Sequence, residues 1–253
     1  MSVSNADRAE YVLRFGDSAL VLAQQLGAWV AHAPVMEEDV AIANVSLDLF
    51  GEARLWLAYA GELEGKGRDE DRLAFHRGSR EFRSALLVEQ RNGDYAATTV
   101  RGYFYDVWAS LALRALAASK DARIAAIAAK TRKENAYHLR RSADWLVRLG
   151  DGTQESRERT QRAADELWRF TGELFIGDEI DTSMAQAGIG FLPASLLDEW
   201  FARVRADFAL ATLAVPADCF MQRGGKKGVH GEVLGYILAE MQVLPRAMPD
   251  AVW

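Results

Sequence analysis

The chain has 253 residues, half of them hydrophobic, with 30 basic against 36 acidic side chains and a formal charge of −6. That length buries one good core or at most two small ones, and the acidic balance excludes a nucleic-acid backbone as main partner, since phosphate demands a basic field. A single cysteine, Cys219, allows neither an intrachain disulfide nor a thiolate cluster. The N-terminal stretch lacks a charged-then-apolar signal pattern, and no uncharged apolar run approaches the roughly 18 residues of a membrane span; a cytoplasmic location without membrane contact is the expectation.

The first predicted helix runs over about 6–33, with Val12, Phe15, Ala19, Leu22, Leu26 and Trp29 at alternating steps of three and four. Pro34 ends it, because proline disfavours helix in the residue before it. Glu37, Glu38 and Asp39 open a second helix reaching about Glu64, as acids suit a helix N-terminus. A charged loop over 65–71 follows, then a short crossing helix with Phe75 and Phe82, then a turn at Arg91-Asn-Gly-Asp94. Further helices are predicted over about 95–119, 121–149 and 153–171, and two more segments over 193–213 and 231–242. Nothing alternates as a strand would, and no internal repeat is present. Two pairs of long helices joined by one long connection make a ferritin-like four-helix bundle with additional helices, expected as one domain over 1–253.

Helices two and three are apolar nearly all round, which predicts central, buried positions for both. Their few charges are therefore informative. Asn44, Asp48 and Glu52 fall at i, i+4 and i+8 on helix two, and Asp106 is the sole acid of helix three. Helix four carries Ile124, Ile127, Thr131, His138, Ser142, Trp145 and Leu149 on one stripe, with Glu134 beside His138. A carboxylate-bridged di-iron bundle takes a Glu from each of two helices and Glu-x-x-His from each of the other two. Here Glu52 and Arg54 fit the longer Asp-Glu-x-Arg-His form, but the histidine position is Leu55. After Glu134 the +3 position is Tyr137, and the histidine has moved to +4, His138. Glu10 and Asp17 are what helix one offers. Buried acids without metal need arginine or lysine partners or protonation, and Arg54, Arg140 and Arg141 are the candidates. A remnant site closed by salt bridges is the preferred reading, with a working di-iron centre as the alternative.

Long stretches carry a resemblance. They are Tyr11-Val-Leu-Arg-Phe-Gly-Asp17, His32-Ala-Pro-Val-Met-Glu-Glu-Asp39, Ala58-Tyr-Ala-Gly-Glu-Leu-Glu-Gly-Lys-Gly-Arg-Asp-Glu-Asp71 and Leu87-Val-Glu-Gln90. Further on come Tyr137-His-Leu-Arg-Arg-Ser142, Trp145-Leu-Val-Arg-Leu-Gly-Asp-Gly-Thr153 and Leu238-Ala-Glu-Met-Gln242. In these the chain resembles, over essentially its whole length, the family of C subunits of bacterial phenylacetyl-CoA epoxidase (phenylacetate-CoA oxygenase). The resemblance implies a ferritin-like, non-catalytic structural subunit that supports a homologous catalytic A subunit. By the same resemblance, iron and most of the acyl-CoA contact belong to the A subunit, while NADPH, flavin and iron–sulfur belong to a reductase subunit. It implies that this chain itself binds no cofactor and has no catalytic residue. Asp48, Glu52, Leu55, Asp106, Glu134 and His138 then become vestigial di-iron positions.

Arg223-Gly-Gly-Lys-Lys-Gly228 is a basic loop without the spacing of a phosphate-binding P-loop. Arg223, Lys226 and Lys227, like Lys66 and Arg68 around Gly67, are either a solvated turn or contacts to CoA phosphates or an acidic face of the partner. Trp200 and Trp253 are candidates for an interface. Three functions are carried forward: the non-catalytic subunit, a di-iron oxygenase in its own right, and a stand-alone helical scaffold.

Overall fold

The computed structural model describes residues 3–248. Among them are nine α-helices and no strand: α1 (Asn5–Gly27), α2 (Met36–Glu64), α3 (Glu70–Phe75), α4 (Tyr95–Leu116), α5 (Ala122–Gly150), α6 (Gln154–Trp168), α7 (Glu179–Gln186), α8 (Leu197–Leu210) and α9 (Glu232–Ala247). The fold is all-α and ferritin-like: two hairpins of long helices, α1–α2 and α4–α5, are joined by one long crossover. The chain divides into two compact units. One is Asn92–Arg223; the other joins the chain up to Arg91 to the chain from Gly224.

In the latter unit α1 and α2 pack closely because Gly16 lets them. A Cβ there would sit 3.0–3.1 Å from Leu57 and Trp56. Phe15 meets Trp56 at a ring separation of 5.6 Å, and Ser46 donates to Ala23 O at 2.8 Å. α1 ends at Gly27, well short of the expected Ala33. Trp29 and Val30 tighten into i→i+3 bonds, Ala31 turns left-handed at φ 75°, and Asp39 accepts from the Ala31 and Ala33 N–H groups at 3.0 Å each. The acid expected to serve the α2 dipole thus also caps the turn before it.

α2 corrects a second expectation. Although apolar all round, it leaves Met36, Val40 and Leu47 exposed on one face, because hydrophobicity alone does not say which apolar faces are covered within a chain. α9 also differs: it continues past Gln242 to Ala247, passing through Pro245. Proline in the final turn forfeits a single ladder bond, so the helix tolerates it there.

In the Asn92–Arg223 unit α4 is buried along most of its length. Phe104 lies at its centre, 5.6 Å from Trp168, 5.8 Å from Trp200 and 5.9 Å from Phe208. Trp200, offered as an interface residue, is a core residue instead: it is fully buried and donates from Nε1 to Phe104 O at 3.1 Å. Trp253 lies outside the described residues. The segment expected over 193–213 is a 3-10 turn, Pro193–Leu196, followed by α8. α7 was not expected; its signal is the reciprocal cap between Asp178 and Asp181.

Candidate functional site

The two carboxylates that α1 offered are both engaged elsewhere. Asp17 is fully buried and receives both terminal nitrogens of Arg77, which comes from the turn after α3; the Nη1–Oδ2 distance is 3.0 Å. The Arg83 N–H adds a third bond to Asp17 Oδ2 at 2.7 Å. Glu10 is taken by Arg83 Nε at 2.5 Å. Arginines of the crossover thus occupy both positions.

On α2, Asp48, Glu52 and Leu55 are half-buried at i, i+4 and i+7. Glu52 accepts from Trp56 Nε1 at 3.0 Å. Leu55 puts hydrocarbon where the expected pattern needs an imidazole. Arg54, offered as a partner for the buried acids, instead reaches Glu70 at 3.1 Å.

In the other unit the structure brings Asp106 of α4 together with α5. Asp106 Oδ2 accepts from Ser142 Oγ at 2.7 Å, and its backbone carbonyl accepts from Asn135 Nδ2 at 3.4 Å. Burial pushes the Asp106 carboxyl from 3.8 up to about 6, while His138, Ser142 and Arg141 pull the other way by favouring the carboxylate. His138 is buried, and Glu134 is half-buried one turn before it. Arg141 thus acts on Asp106 as expected, and also donates to Tyr95 OH at 3.3 Å. Arg140, the third arginine proposed, lies over its neighbour Tyr137, 5.7 Å from the ring centre. The α5 stripe drifts as a straight helix must: Ile124, Ile127, Thr131, His138 and Ser142 are buried, but Trp145 and Leu149 yield to Leu146 and Gly150.

Of the six proposed positions, Asp48, Glu52 and Leu55 lie on α2, and Asp106, Glu134 and His138 lie on α4 and α5. Among the described residues no group of three or more His, Cys, Asp or Glu is arranged to hold a metal ion. The side chains around Asp106 are those of a hydrogen-bonded polar core: a carboxyl of raised proton affinity, a serine hydroxyl, an amide and an imidazole.

Of the basic positions, Arg68 is committed to Glu64 at 2.6 Å, and Lys66 is exposed beside it. Arg223, Lys226 and Lys227 lie in and just before the Gly225–Lys227 turn. Sequence reasoning missed the group just after that turn. His230 Nδ1 lies 2.8 Å from Glu89 Oε2 and its Nε2 3.0 Å from Phe82 O, while the Gly231 N–H donates to Glu89 Oε1 at 2.7 Å. Gln25 adds bonds to the Glu89 and Gln90 carbonyls. The available signal was a lone acid, Glu89, right after the apolar run Leu86-Leu-Val88.

The sequence matches the family described as phenylacetic acid catabolic protein over residues 2–253. The chain belongs to that family. It is similar to the C subunit of the 1,2-phenylacetyl-CoA epoxidase of Escherichia coli (strain K12), with 51% identity over 243 residues, 96% of this chain and 98% of that one. The family membership borne on the quoted stretches is thereby established along the whole chain. No helix among the described residues is long and apolar enough to cross a membrane.

Proposed function

We propose that this chain is the non-catalytic, structural subunit of a multicomponent phenylacetyl-CoA 1,2-epoxidase, one ferritin-like domain that supports a homologous catalytic A subunit. The observation that carries the reading is the end-to-end identity with the C subunit of such an epoxidase. The donor chemistry supports it. Glu10 and Asp17 are committed to arginines, Glu52 to an indole N–H, and position 55 is a leucine. These residues do not fit a pair of irons, so the oxygen chemistry and its electron supply are assigned to other subunits. The open apolar stripe of α2, with Met36, Val40 and Leu47, suits a chain that works inside an assembly.

The test is metal analysis of the chain expressed alone and together with the A subunit, with epoxidation of phenylacetyl-CoA assayed for each. Near-zero iron and no turnover by the lone chain, with activity in the pair plus reductase, is the expected result. Close to two irons per lone chain, abolished by Glu52→Ala or Glu134→Ala, would establish a di-iron oxygenase instead. Failure to co-purify with any other subunit would leave the stand-alone scaffold.

A further inference from the structure

α9 packs on its own unit through Leu234, Ile237, Leu238 and Gln242, whose Nε2 donates to Ala74 O and Arg77 O at 3.0 and 3.1 Å. Much of the rest of the helix, and its C-cap Met248, is apolar and open. Tyr236, Val243, Leu244 and Met248 are 61, 59, 54 and 45% exposed. Ala239 and Ala247 are exposed among them, and the charges on the helix are Glu232, Glu240 and Arg246. Several large apolar side chains left open on one element favour association, and aromatic residues and methionine are enriched at the centres of interfaces.

Beside these side chains a cavity of about 620 Å³ opens between α3 and α9. Phe75, Met241 and Leu244 form apolar wall; Asp69, Asp71 and Glu240 stand on the rim. Arg72 and His76 also border it but leave the acids in excess. Asp69 is the N-cap of α3, accepting from the Arg72 N–H at 2.7 Å, and Glu70 next to it is held by Arg54. Burial, then the Glu70 and Asp69 carboxylates, push the Asp71 carboxyl up, with Arg54 opposing them. The rim is thus a place where negative charge is crowded and a further cation is favoured. An apolar wall with a crowded carboxylate rim is complementary to a side chain with a hydrocarbon stem and a cationic tip, which is lysine or arginine.

We propose that the groove between α3 and α9 docks an apolar segment of another subunit of the oxygenase, anchored by one lysine or arginine of that segment at the Asp69–Asp71–Glu240 rim. The inference rests on the subunit role proposed above. It differs from that role in naming the surface, the chemistry of the occupant and the residues that select it. The apolar side chains of Tyr236, Val243 and Leu244 supply desolvation, and the rim supplies register and on-rate.

The test uses the assembled complex, made by co-expressing the affinity-tagged full chain with the other subunits. The photo-reactive p-benzoylphenylalanine is placed at Val243. Expected on irradiation is a covalent adduct to one other subunit of the complex, identified by mass spectrometry. Leu244→Glu, and separately the pair Asp71→Asn with Glu240→Gln, should each weaken capture of that subunit tenfold or more. All these positions are exposed, so the variants retain the fold. A complex that assembles with no adduct, with an adduct only to a second copy of this chain, or with capture unchanged in both variants, overturns the inference and leaves the subunit role standing. A tagged wild-type chain that retains no other subunit removes the subunit role itself, and the inference with it.

Discussion

Arg77 closes on Asp17 with both terminal guanidinium nitrogens, and neither side chain is reached by solvent. Arg77 also donates to Leu73 O and Glu81 O, and its guanidinium stacks 4.3 Å over the Phe82 ring. One arginine therefore ties α1 to the whole first half of the crossover. Removing one partner of such a pair strands a buried charge, at a cost of about 3–5 kcal/mol. Asp17→Ala and Arg77→Ala should each lower the unfolding free energy, measured in urea, by that amount. Replacing both at once, Asp17→Leu with Arg77→Met, should recover most of it, because no charge is then left buried. Additive losses in the double variant would show that the pair is not the unit that matters.

Asp106 predicts a pH dependence in the opposite sense to most carboxylates. Its proton affinity is raised in the folded chain, from 3.8 to about 6, chiefly by burial. A group whose folded value lies above its unfolded value stabilises the fold fully below the lower value, and that contribution is lost as pH rises through the higher one. The window is therefore about pH 4 to 6, and the full shift corresponds to roughly 3 kcal/mol. Asp106→Asn should gain on the wild type by on the order of 1–3 kcal/mol more at about pH 7.5 than at about pH 5. Ser142→Ala removes a bond that favours the carboxylate, so the Asp106 midpoint in a carboxyl carbon-13 titration should move upward. A wild-type midpoint at the ordinary value of a free aspartate would sink the account.

Much of this was legible in the sequence, and the exceptions have physical causes. The four long helices follow from apolar spacing, and the end of α2 follows from Gly65, whose φ of 64° needs no side chain. Leu55 and the displaced His138 are visible as departures from a fixed spacing. What stayed hidden were long-range polar pairs. Asp17 is one acid in a helix, and nothing local says that Arg77, 60 residues on, will meet it. The same holds for Glu89 and His230, separated by 141 residues. Periodicity also predicted α2 as buried because it reports apolar faces, not which of them the chain itself covers.

Gly61, near the end of α2, lets the backbone of the following loop approach the helix closely. A Cβ there would lie 2.1 Å from Arg68 O and 3.2 Å from its carbonyl carbon. The obstacle is backbone, so it does not swing away as a side-chain tip would. Gly61→Ala ought to displace the loop that follows α2 and cost about 1–3 kcal/mol, as overpacking does. Gly51→Ala on the same helix meets nothing within 4 Å and gains helix propensity; it should stabilise by up to about 1 kcal/mol. Urea unfolding of the two variants side by side separates the effects, and equal losses would contradict the geometry.

The imidazole of His230 has an acceptor at each nitrogen, Glu89 Oε2 and Phe82 O. Each ring nitrogen is therefore tied to a different part of the chain. Glu89 also accepts the N–H of Gly231, the residue before α9. This clasp therefore fixes where the last helix begins, and through it the apolar side chains that α9 leaves open. Glu89→Gln keeps the size and one acceptor for the ring, whereas His230→Ala leaves a buried carboxylate without its ring partner. His230→Ala should be the more damaging, by about 1–3 kcal/mol, and hydrogen exchange should rise across 225–247 while α4 and α5 stay protected. Faster exchange spread evenly over the chain would instead mean that the clasp belongs to the global fold rather than to α9.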